Sequence, residues 1–166
     1  RVVKIFKDIR LIIGGGSSKP SKIELDVREE IRRIAKKLGI EDKVIQTGRI
    51  PNDILPAYYA KSRLVVLSSR YDLFGMVALE ALSCGRPVVV SKYAGVHKLI
   101  REDFGYVADP NDEADLSNKI IKLLENPARA EEMGRKGRKF VEENLTWEKV
   151  AAKLKILYET LIGRSR

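Results

Sequence analysis

Two carboxylates eight residues apart, Asp72 and Glu80, bracket the segment Leu73-Phe74-Gly75-Met76-Val77. An ionised carboxylate offers two acceptor oxygens, which suits a pair of vicinal sugar hydroxyls. A glycine that opens a helix exposes the amides of the first turn. Those free N–H groups, with the positive end of the helix dipole, suit a phosphate. Amides for phosphate and a carboxylate for ribose, one turn apart, fit a nucleoside diphosphate. Asp72 adds a carboxylate on the loop where a sugar carried by that diphosphate would sit.

The segment from Met76 to Gly85 reads as a helix buried all round, because Met76, Val77, Leu79, Leu82 and Cys84 cover most of its circumference. Glu80 is its one charge, and a buried carboxylate without a partner costs several kcal/mol. Its donor is either a Lys, Arg or amide within the fold or the hydroxyls of a ligand. Tyr58 and Tyr59 read as packing, Cys84 as a small core residue rather than a nucleophile, and His97 as a capping or surface residue.

Two further loops belong beside this one. Gly14-Gly15-Gly16-Ser17-Ser18 permits positive φ and close backbone approach, with Gly15 as the contact residue, or is a plain turn. Thr47-Gly48-Arg49-Ile50-Pro51 lets a base or sugar lie against Gly48, or is an ordinary strand-to-helix connection capped by Asn52. Neither carries the dinucleotide glycine spacing or a phosphate-loop Gly-Lys-Ser.

All these loops follow short runs of β-branched or aliphatic residues: Leu11–Ile13, Val44–Ile45, Leu64–Leu67, Pro87–Val90 and, more weakly, Tyr106–Val107. None alternates apolar with polar residues, so the runs predict parallel strands buried on both faces. Helical patterns separate them at about 22–38, 52–60, 75–84 and 96–101, and later helices fall at about 112–124, 128–143 and 147–162. The first of these places Ile23, Val27, Ile31, Ile34 and Leu38 on one stripe. Strands alternating with helices predict a parallel α/β sheet, whose ligands lie beyond the carboxyl ends of the strands.

The chain of 166 residues carries a net charge of +9. Residues 1–50 hold thirteen Lys or Arg against seven Asp or Glu, residues 51–134 ten against twelve, and residues 135–166 nine against four. Acidic and basic residues interleave at helical spacing at both ends, as on a solvated helix face, and aromatic residues do not interleave with them. Nucleic acid is not an expected partner. No apolar run reaches the roughly 20 residues of a membrane span. Asp8 and Arg10 interrupt the basic and apolar N-terminus, so no signal peptide is expected. The single Cys84 fits a cytoplasmic protein.

The stretch SSRYDLFGMVALEALSCGRPVVVSKYAG, from Ser68 to Gly95, resembles the signature of the retaining glycosyltransferases that include sucrose-phosphate synthases and many mannosyl- and glucosyltransferases. The similarity extends to Leu11–Gly16, to Leu38–Pro51 and to Thr146-Trp147-Glu148. The resemblance implies a Rossmann-like parallel sheet flanked by helices, the C-terminal half of a GT-B fold, with residues 1–166 as the nucleotide-sugar-binding domain. It implies transfer without a metal or other cofactor from a UDP- or GDP-linked sugar. Glu80 would bind the ribose hydroxyls, and Asp72 would stand for the first Glu of the family's Glu-x7-Glu pair. Leu73, Phe74, Gly75, Met76 and Val77 would face the sugar and diphosphate, Gly15 would line the glycine-ended strand, and Gly48, Arg49 and Ile50 would border the base.

The family's Gly-Arg and Lys-Gly diphosphate elements and its acceptor domain are expected upstream of Arg1, with peripheral membrane association allowed for the full-length protein. Within the chain, Asp72 is shorter than the family's Glu by one methylene, about 1 Å of reach. Ala94-Gly95-Val96-His97-Lys98 replaces the family's Pro with His and its acid with Lys, and Lys98 is a candidate cation for the phosphates. The expected activity is hexosyl transfer to a sugar or lipid-linked acceptor, the isolated chain being inactive. The alternative is a non-catalytic interaction module of the same fold with a decayed donor site.

Overall fold

A computed structural model describes Arg1–Arg164; the last two residues of the 1–166 domain, Ser165 and Arg166, lie outside the described residues. Two compact units divide the chain, Arg1–Leu55 and Pro56–Arg166.

The first unit opens with a short helix α1 (Val2–Ile5) and strand β1 (Leu11–Gly14). Helix α2 (Lys22–Lys37) starts at Ser21, whose hydroxyl accepts from the Glu24 amide at 3.2 Å. Strand β2 (Val44–Gly48) returns parallel to β1, Leu11 opposite Val44, with a register shift between Ile13 and Gly14. Two-sided burial fails here: Leu11 is 53% exposed, Ile12 and Ile45 are also exposed, and of the α2 residues Ala35 alone is fully buried. An unbroken apolar run marks a strand but carries no period from which to count its covered faces.

The second unit begins with α3 (Leu55–Lys61), all but its first residue, and strand β3 (Val65–Leu67). Then come α4 (Met76–Ser83), β4 (Val88–Ser91) and β5 (Gly105–Ala108). These strands form a separate parallel sheet, with β4 between β3 and β5 and Val88, Val89 and Val90 opposite Val65, Val66 and Leu67. Every residue of β4 is buried, as its uninterrupted valines predict. The helix expected at 52–60 starts later, at Leu55, after a turn in which the amides of Ile54 and Leu55 both donate to the Pro51 carbonyl. The helix expected at 96–101 is a five-residue 3-10 turn, Gly95–Leu99.

Helices α5 (Glu113–Leu124), α6 (Pro127–Asn144) and α7 (Trp147–Arg164) complete the unit. Asp112 caps α5 through bonds from the Ala114 and Asp115 amides, and Asn126 caps α6 with Pro127 in its first turn. Leu123, Ala130 and Met133 pack on Val89, Tyr106 and Ala108 of the sheet. Two glycines let α6 approach α4: a Cβ at Gly134 would collide with the Gly85 carbonyl, and one at Gly137 with the Leu82 side chain. No helix among the described residues is long and apolar enough to cross a membrane.

Candidate functional site

The loop after β3 is pinned to the loop after β4. The Gly95 amide donates to the Asp72 carbonyl at 3.1 Å, and the Val96 amide donates to the Phe74 carbonyl at 2.6 Å. A side chain at Gly95 would strike the Leu73 carbonyl, so a glycine is needed for the two loops to meet. The Asp72 carboxylate folds back on its own loop, its Oδ1 accepting from the Phe74 amide at 3.0 Å. His97 Nδ1 lies 2.9 Å from the Ala94 carbonyl and so serves its own turn. Lys98 is exposed.

Gly75 turns the chain into α4 with φ 92°, a left-handed value that suits glycine. A Cβ there would stand 2.7 Å from Leu67 Cδ2 and 3.0 Å from Val96 Cγ1, so space and torsion both exclude a side chain. With glycine as N-cap, α4 has no side-chain cap for its first-turn amides.

Helix α4 is not buried all round. It buries Ala78, Leu79, Ala81 and Leu82 against the sheet side, while Met76 is 50% exposed and Val77 is exposed beside it. Leu73 at 83% and Phe74 also face solvent. A helical wheel records which residues are apolar but not which are covered, so the residues expected to line the site are the ones the fold leaves open. Glu80 is half-buried at the edge of that face.

The partner of Glu80 is neither of the two kinds expected within the fold, a cation or an amide. The Tyr59 hydroxyl donates to Glu80 Oε2 at 2.8 Å. Tyr59 is 9% exposed, and burial, followed by the hydrogen bond to the carboxylate, pushes its phenol well above the ordinary value of 10.0. Tyr59 is therefore more than packing. The two residues lie 21 positions apart on different helices, and no local spacing in the sequence links them. Cys84, partly buried at the end of α4, has its thiol pushed up by burial, which suits an inert thiol.

In the first unit the two glycine loops touch. The Gly15 amide donates to the Gly48 carbonyl at 2.8 Å, and a Cβ on Gly14 would lie 2.7 Å from Ile50 Cδ1. Gly15 and Gly48 have φ of 134° and 68°. Arg49 is exposed, and Ile50 is half-buried. Arg28, read from sequence as part of a solvated face, reaches these loops: its guanidinium would be 3.1 Å from a Cβ on Gly48, and it pairs with Glu24 at 2.6 Å. The Ser17 amide and then Arg28 hold the Glu24 carboxyl below its usual range. The structure thus groups Gly15, Gly48 and Ile50 in one unit, and Asp72, the Leu73–Val77 run and Glu80 in the other.

A parallel α/β fold with glycine loops at the carboxyl ends of its strands and a carboxylate-bearing helix opened by glycine belongs to the class of ligand-binding α/β domains. The chain belongs to the glycosyl transferases group 1 family, whose sequence profile its residues 1–140 match. It is 32% identical over 153 residues to the mannosylfructose-phosphate synthase of Agrobacterium fabrum, covering 92% of this chain and 34% of that protein. The sucrose-phosphate synthase of Thermosynechococcus elongatus superposes with a TM-score of 0.82 at 31% identity, over 98% of this chain and 41% of that one. Anabaena HepE, solved in complex with UDP, superposes with a TM-score of 0.77 at 25% identity, over 93% of this chain and 41% of its own. The fold is that of GT-B C-terminal domains.

Proposed function

We propose that this chain is the donor-binding domain of a retaining glycosyltransferase that moves a hexose from a nucleoside-diphosphate sugar, UDP- or GDP-linked, to a sugar or lipid-linked acceptor. One observation carries the reading: α4 opens on a left-handed glycine with uncapped amides and, one turn on, sets Glu80 at the edge of an exposed apolar face. The diphosphate takes the amides of Met76 and Val77, and the ribose hydroxyls take Glu80. Leu73 and Phe74 cover the sugar. The UDP complex of Anabaena HepE supports the nucleotide assignment.

In the transfer step the bond from the sugar's anomeric carbon to the diphosphate oxygen breaks, the acceptor hydroxyl's oxygen bonds to the same face, and its proton passes to the leaving diphosphate. Negative charge gathers on the leaving diphosphate, where fixed amide dipoles stabilise it more in the transition state than in the ground state. Asp72 Oδ1 is held by the Phe74 amide, which leaves Oδ2 for a hydroxyl of the donor sugar. No metal enters the step. The acceptor is bound by a second domain of the whole protein, which works in the cytoplasm.

Calorimetry on the chain with UDP, GDP and their hexose conjugates tests the reading. Binding at millimolar or lower Kd that survives EDTA and weakens at least tenfold in Glu80→Ala is expected, one factor of ten being about 1.4 kcal/mol. No heat at millimolar ligand, or equal affinity in Glu80→Ala, would favour a non-catalytic interaction module.

A further inference from the structure

We infer that Tyr59 is a positioning residue that presents Glu80 to the ribose and thereby sets the preference of the site for ribose over 2′-deoxyribose; the inference rests on the donor-binding reading of Glu80. A glutamate at the edge of an exposed face has three side-chain torsions to fix before it can meet two hydroxyls in a defined geometry. Tyr59 fixes one end of the carboxylate, its hydroxyl donating to Oε2 at 2.8 Å.

The tyrosine is itself held. Its ring is buried, and its carbonyl accepts from the Ser62 hydroxyl at 2.8 Å at the end of α3. Its neighbour Tyr58 is exposed, so burial selects the one tyrosine of the pair that reaches α4. A ring needed for packing alone would be served by phenylalanine, whereas a buried hydroxyl requires a partner. The partner is the one charge on α4. Oε2 keeps one lone pair after accepting from Tyr59 and Oε1 keeps both, so the carboxylate still receives vicinal hydroxyls, now from a fixed orientation.

The test compares UDP with 2′-deoxy-UDP by calorimetry on the chain and on Tyr59→Phe, Glu80→Ala and the double variant. Tyr59→Phe keeps the ring volume and is expected to raise the Kd for UDP about three- to tenfold, the size of one typical net hydrogen bond. The Kd for 2′-deoxy-UDP should move less, so the ratio of the two falls toward one. In the Glu80→Ala background, Tyr59→Phe should add nothing.

An unchanged ratio in Tyr59→Phe, or an equal loss for both nucleotides, overturns the inference and leaves a structural tyrosine. If the ratio vanishes in Glu80→Ala yet persists in Tyr59→Phe, the donor-binding reading stands and the role of Tyr59 falls. If the unmodified chain binds neither nucleotide, both fall. An NMR measurement on the unmodified chain makes the test independent of how the variant folds: the Tyr59 hydroxyl proton should shift with UDP and much less with 2′-deoxy-UDP, and a resonance indifferent to both contradicts the inference.

Discussion

The two units place their apolar residues differently. Pro56–Arg166 has a strand buried along its whole length, a helix α6 that meets α4 through glycine contacts, and exposed apolar residues around the start of α4 and along α7. Arg1–Leu55 leaves the apolar stripe of α2 and the outer residues of β1 open, and its glycines lie at strand ends and in loops. Tight packing on one side of α4 allows its other side to stay apolar and uncovered without loss of the fold. Stability therefore resides mainly in the second unit.

The sharpest way to break this contrast is at the contact between α4 and α6. Gly134→Val drives a side chain into the Gly85 carbonyl and should cost about 3 kcal/mol or more, abolishing the cooperative melt of the second unit. Leu82→Ala, at a fully buried position, should cost about 2–5 kcal/mol in urea unfolding. Ile12→Ala, at a half-exposed position of β1, should cost about 1 kcal/mol or less. Equal costs at Leu82 and Ile12 would erase the distinction between the units.

Gly75→Ala comes next. A methyl 2.7 Å from Leu67 Cδ2 on a backbone at φ 92° should cost about 1–2 kcal/mol and weaken nucleotide binding more than it weakens folding. A full loss of stability with intact binding would detach the glycine from the site.

A smaller effect concerns pH. The folded state raises the Tyr59 phenol above its ordinary 10.0, mainly by burial and then by the Glu80 bond. The stability linked to the neutral hydroxyl is thus fully present below pH 10 and is lost as pH rises toward and through the higher folded value. Alkaline melting curves should therefore fall more steeply for the unmodified chain than for Tyr59→Phe, with a phenolate absorbance rise that tracks unfolding.

Much of this was legible in sequence. All five β-branched or aliphatic runs became strands, Ser68 to Gly95 marked the loop, helix and next strand of the site, and Glu80 stood out as the lone charge of an apolar helix. Four things were not legible. The strands pair in two separate sheets, and run composition carries no pairing information. The face of α4 bearing Met76 and Val77 is open, which depends on neighbours rather than on residue type. Tyr59 meets Glu80 across two helices, a tertiary contact without a local period. Arg28 was hidden in the same way, since its spacing fits a solvated helix face while its guanidinium reaches the loop glycines.

The most direct test of the site is an amide NMR titration of the chain with UDP. The Met76 and Val77 amides should show the largest shift changes, reduced in Glu80→Ala. Saturable shifts confined to other surfaces, or no shifts at millimolar UDP, would contradict the assignment of the α4 start as the nucleotide site.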